Sequence, residues 1–170
     1  MKLIATLCAL CLSVSAFANH DPNHPDVKVS PEFEQMKALV GTWTGKANMH
    51  GKEEDLKVTY ELTSGGTALV EKLNPGTPME MTTVYANLGS KVHATHYCSS
   101  GNQPEMNLKK AKGQSFVFEM DGVRGISDKN EMHMHGVTLT LNGNRLKQEW
   151  TNFKDNKKDG SVAFELTKAM

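Results

Sequence analysis

Disulfide cross-links are the first thing this chain lacks. Of its three cysteines, Cys8 and Cys11 lie in an apolar leader, so a processed chain keeps Cys98 alone and cannot staple itself; its stability has to come from a core. Long hydrophobic runs are missing beyond Leu3 to Leu12. That run follows Met1-Lys2 and ends in Ala16-Phe17-Ala18, which reads as a secretory signal peptide with an A-x-A cleavage site rather than a membrane anchor. Cleavage is expected after Ala18, giving a periplasmic or secreted protein, and lipidation is not expected because each leader cysteine follows a leucine. An excess of charge is absent as well. Nineteen basic and nineteen acidic residues balance, and the Lys and Arg are scattered, so neither nucleic acid nor an anionic membrane is an expected partner. No Ser-His-Asp order, P-loop, dinucleotide glycine fingerprint, HExxH or paired CxxC occurs, which argues against the common hydrolases and nucleotide enzymes.

What is present is alternation. Three segments are expected: a signal peptide over 1–18, a flexible lead-in over 19–30 containing Pro22, Pro25, His20 and His24, and one domain over 31–170. Ser30-Pro31-Glu32 before Phe33, Met36 and Leu39 predicts a short capped helix that Gly41 ends. About ten period-two segments then recur, separated by Gly, Asn, Asp and Pro. So many strands linked at hairpin length would leave edges exposed unless they closed on themselves. The expected fold is therefore all-β, an antiparallel up-and-down barrel of about ten strands with one short N-terminal helix at one end. Ten strands enclose more width than eight, so an internal cavity is expected. A two-sheet sandwich would fit the same alternation.

The residues also carry a resemblance. Leu39-Val40-Gly41-Thr42-Trp43-Thr44-Gly45 resembles the Gly-x-Trp opening of lipocalin-like (calycin) barrels, and is closer to the Gly-x-Trp-x-Gly opening of nitrobindin-like and fatty-acid-binding-like ones. Ser64-Gly65-Gly66-Thr67, His96-Tyr97-Cys98 and Gly101-Asn102-Gln103-Pro104 are similar to secreted bacterial barrel proteins of unassigned function. The resemblance implies a calycin-type barrel over most of the mature chain. Nitrobindins hold haem through a histidine near the C-terminus, and the last segment here, Gly160 to Met170, has none, so haem chemistry is not implied.

Three kinds of site remain open. His133 and His135 lie two apart on an expected strand, projecting from one face about 7 Å apart. An Asn142-Gly143 turn would set His135 opposite Trp150 and His133 opposite Asn152, with both imidazoles inward. His96 and Cys98 repeat the spacing. A Leu88-Gly89 turn would place Met81 opposite His96, giving soft ligands suited to copper(I), whereas a three-residue turn would place Glu80 there, giving a carboxylate-imidazole pair for proton transfer. His133, His135, His96 and Cys98 are thus candidate metal ligands for copper, zinc or haem, against the commoner role of ordinary buried side chains. No cofactor is required. The candidate ligand pocket comprises Tyr60, Glu71, Met81, Tyr85, Gln148 and Trp150, with Glu71 placed beside Tyr60 by a turn at Gly65-Gly66 as a polar anchor. The leading expectation is a binding protein for a small apolar or amphipathic ligand. A metal or haem barrel for copper handling or redox defence is the alternative, and an isomerase-like enzyme on the same barrel the third; no catalytic residue is assigned.

Overall fold

A computed structural model describes residues 27–49 and 52–170. The signal-peptide segment and all of the lead-in before Val27 lie outside the described residues. Helix α1 (Pro31–Met36) begins as its sequence suggests: the Ser30 hydroxyl accepts the backbone N–H of Phe33 at 3.2 Å and Pro31 takes the first helical position. A 3-10 turn over Lys37–Leu39 carries the chain into the first strand.

Ten strands follow: β1 (Gly41–Met49), β2 (Lys52–Thr63), β3 (Ala68–Leu73), β4 (Met81–Leu88), β5 (Lys91–Tyr97), β6 (Glu105–Lys112), β7 (Ser115–Met120), β8 (His133–Asn142), β9 (Arg145–Lys154) and β10 (Lys157–Lys168). Each pairs antiparallel with its neighbour in sequence, and β10 returns to β1, closing the barrel. The sandwich is therefore excluded. The seam depends on Gly45, whose own position lies opposite Leu166 and whose absent Cβ would sit 2.2 Å from the Glu165 carbonyl oxygen. Trp43, fully buried, donates its indole N–H to the Leu39 carbonyl at 2.7 Å and lies beneath the Lys168 ammonium, so it fastens the helix to both ends of the ring. Ser30 reaches Asn87 at 3.2 Å from the same end. The helix thus covers the end of the barrel where the chain makes most of its tight turns.

Three of those turns share one chemistry. Gly89-Ser90, Gly113-Gln114 and Gly143-Asn144 each place glycine first, at φ 61, 57 and 59, as a type II′ hairpin turn requires. This corrects two expected registers. Leu88 pairs with Lys91, so Thr83, and neither Met81 nor Glu80, stands opposite His96. Asn142 pairs with Arg145, which moves the β8–β9 pairing by two residues and puts Val137 opposite Trp150. The type I′ turn occurs instead at Asp155-Asn156, at φ 52 and 56, joining β9 to a β10 that starts five residues before its alternation becomes legible.

The inward face is apolar and dense. Trp43, Leu56, Leu69, Tyr85, Met106, Phe116, Phe118, Leu139 and Leu166 are all at most 2 % exposed. The expected internal cavity does not extend through this level: these side chains have almost no surface open to water, and Tyr85 meets Phe118 from across the lumen at 5.2 Å between ring centroids. Gly45→Ala should be among the most damaging small substitutions in the chain, lowering stability by about 2 kcal/mol or more by prising β10 from β1. A urea midpoint equal to that of the unaltered protein would show that the seam tolerates a side chain there.

Candidate functional site

Inside this apolar lumen one line of polar side chains crosses four neighbouring strands. Tyr60 on β2 stands opposite Glu71 on β3, Glu71 opposite Thr83 on β4, and Thr83 opposite His96 on β5. All four point inward and are at most 2 % exposed. Register puts them there: each sits at an inward position of its own alternation, and the II′ turn at Gly89 fixes the last of the three pairings. From the far wall, β9 contributes Gln148 and Trp150.

Glu71 is the centre of the group. Its carboxylate accepts the Tyr85 hydroxyl at 3.0 Å and the Gln148 amide at 3.3 Å, and Tyr60 adds a third donor. Gln148 also donates to the Tyr60 oxygen, while its own carbonyl accepts the Trp150 indole N–H at 3.3 Å. Loss of water dominates the electrostatics: burial pushes the Glu71 carboxyl up to about 7 even though three donors pull it down. The two phenols rise well above their ordinary value for the same reason, reinforced by the neighbouring carboxylate.

His96 completes the line. Its Nδ1 lies 2.9 Å from the Thr83 hydroxyl, its ring packs on Trp150 at 4.6 Å between centroids, and its buried Nε2 has no partner. Burial lowers its pKa to about 4, so the imidazole is neutral at pH 7.

The structure brings together Tyr60, Glu71, Tyr85, Gln148 and Trp150 from the candidate pocket. Met81 stands apart from the network, half-buried near the barrel end remote from α1, where Ser99 reaches its sulfur at 3.6 Å. The four candidate metal ligands do not share one sphere. A bulge at His135, between the Met134–Asn152 and Gly136–Thr151 pairs, inverts the faces of the strand's start. Met134 therefore takes the inward place, and both histidines lie outside the lumen on the Phe153 side of the strand, which corrects their expected orientation, although His133 is still buried there at 3 % exposed. There the His135 ring stacks on Phe153 at 3.7 Å, and His133 lies 3.3 Å from it and 2.8 Å from the Glu131 carbonyl. Gly136 makes the bulge tight, since a Cβ would come within 2.7 Å of the Phe118 carbonyl oxygen. Cys98 is half-buried just past the end of β5. Among the described residues no three His, Cys, Asp or Glu side chains converge as a metal site. Thr83 is the member that sequence reading passed over; its alternation with Met81 and Tyr85 was the available signal.

No family model matches the chain, and no curated protein shows significant sequence similarity to it. The class rests on the fold: a closed, ten-stranded antiparallel β-barrel with a polar line through an apolar interior, consistent with a calycin-like barrel.

Glu71 and His96 act on stability in opposite directions. The folded chain holds the Glu71 proton more tightly than the unfolded one, so this contribution is complete below pH 4.5 and declines as pH rises toward 7. His96 resists protonation in the fold, so its contribution is complete above pH 6.5 and declines as pH falls toward 4. Each is worth about 3 kcal/mol, and between pH 4.5 and 6.5 they nearly cancel. Glu71→Gln should expose a stability that climbs from pH 4 to 6.5, and His96→Phe one that falls from pH 4.5 to 7. Urea midpoints taken across that range would check both, and parallel profiles for the two variants would refute the assignment.

Proposed function

We propose that this chain is an exported binding protein whose barrel receives a small amphipathic molecule, the apolar part lying among the lumen side chains and the polar end at the Glu71 line. The observation that carries this reading is the convergence of Tyr60, Glu71, Tyr85, Gln148 and Trp150 in an otherwise apolar interior. Binding sites for small molecules have this composition, apolar walls with a few polar groups that fix orientation. Because no cavity extends through the level of the packed side chains, a guest enters by displacing some of them. Met81, Met120 and Met134 are suited to that, being unbranched, adaptable and placed toward the end opposite the helix. The Met1 to Ala18 leader pattern supports the exported location.

A second reading draws on one specific fact. A carboxyl titrating near 7 is matched to proton transfer at neutral pH, as an isomerase-like enzyme would need of Glu71. Glu71-dependent entry of solvent deuterium into a bound carbon acid would be its distinguishing mark.

Native mass spectrometry of the mature chain, isolated from the exporting compartment without imidazole or chelator, tests the binding reading. A co-purifying organic mass, or saturable uptake of a medium-chain alkyl alcohol, is the expected result. Glu71→Leu should weaken uptake about tenfold, the effect of removing a charged hydrogen-bond partner. A bare chain that takes up no alkyl probe would overturn the reading.

A further inference from the structure

The unpartnered nitrogen of His96 has a chemical sense that the hydrogen-bond chain beside it determines. Tyr85 has one hydroxyl hydrogen, and it goes to Glu71. The Tyr85 oxygen is therefore left to accept, and the Thr83 hydroxyl, two residues away on the same strand, is placed to donate to it. Thr83 likewise has one hydrogen: given to Tyr85 it lets the imidazole Nδ1–H donate across the 2.9 Å contact, two hydrogen bonds in all, whereas given to Nδ1 it makes one and leaves a buried N–H without an acceptor. A neutral imidazole carries one N–H, and the arrangement with more hydrogen bonds uses it at Nδ1. What remains at Nε2 is a lone pair, buried, unpaired and held beside the Trp150 ring. An acceptor in that condition is costly unless something supplies a hydrogen.

We infer that His96 takes this tautomer and that its Nε2 is the recognition point for an uncharged head group that donates a hydrogen bond, a hydroxyl or an amide N–H, on an apolar-tailed ligand. This rests on the binding reading above and deepens it by naming the head group. A carboxylate brings only lone pairs to a nitrogen that also has only a lone pair, and it brings negative charge toward Glu71. An ether fits the same space without satisfying the nitrogen. The preferred ligands are thus alcohols and amides, and fatty acids are rejected.

Two measurements test this at pH 8, where Glu71 is ionised. Calorimetric titration of the mature chain with 1-octanol, octyl methyl ether and octanoate should rank them in that order, the alcohol binding about five- to tenfold more tightly than the ether. In His96→Phe the alcohol and the ether should bind alike. Equal binding of alcohol and ether by the unaltered chain overturns the inference while leaving the binding reading intact, whereas uptake of none of the three overturns both. The second measurement needs no substitution: two-bond ¹H–¹⁵N correlations of the His96 ring should show the Nδ1–H tautomer. An Nε2–H tautomer overturns the inference outright.

Discussion

A carboxylate removed from water is the constraint on which this interior depends. An ionised group in an apolar lumen would be severely destabilising without donors, and the barrel supplies them from three different strands: Tyr60 from β2, Tyr85 from β4 and Gln148 from β9. Each donor is in turn held by its own apolar surroundings, so the polar group and the core specify one another. The register of β2, β3, β4 and β9 matters to Glu71 as much as to the hydrophobic packing. A slip of one residue in β2, β4 or β9 would turn a donor out to solvent and leave the carboxylate exposed to the full cost of burial, and a slip in β3 would turn Glu71 itself outward.

Closure is the second requirement, and it comes from small residues at backbone crossings. Gly45 lets β10 approach β1, and Gly136 lets the bulged start of β8 approach β7. Gly125 makes a comparable approach between loops, where a Cβ would stand 1.7 Å from the Gln103 carbonyl oxygen and where its φ of 78 already favours glycine. With Asn102 donating to Glu131 and to the Met132 carbonyl, the loops at the far end are tied to each other, while the helix covers the near end. The two ends are built differently: hairpin turns of two residues dominate beside α1, and most of the longer connections gather opposite it.

Much of this was legible in the chain. Ser30-Pro31 marked the helix, strict alternation marked most strands, and the glycine pair at 65 and 66 set Glu71 beside Tyr60. The misread parts have physical reasons. Asn142-Gly143-Asn144 admits two turn types, and nothing local to it discloses that glycine comes first, a choice that carries pairing along the whole hairpin. The bulge at His135 is set by the approach of Gly136 to a distant strand, which no spacing within β8 records. The opening of β10, Lys157-Lys158-Asp159, is polar on both faces and has no period to detect. Of the candidate site, the individual inward residues could be read from alternation. Their assembly into one line needed three correct registers in succession, and the third depended on the Gly89-Ser90 turn.

The ring closes where Ala169 donates its backbone N–H to the Thr42 carbonyl and Lys168 lies over Trp43. The first and last strands are therefore ordinary neighbours, and the ladder of hydrogen bonds runs around the barrel without recording where the polypeptide starts. A cyclically rearranged gene, joined across that seam and reopened in the exposed 74–80 connection, would encode every strand pairing found here in a different order of synthesis. The architecture belongs to the circle of contacts, and the linear order of the chain is one of several ways to write it.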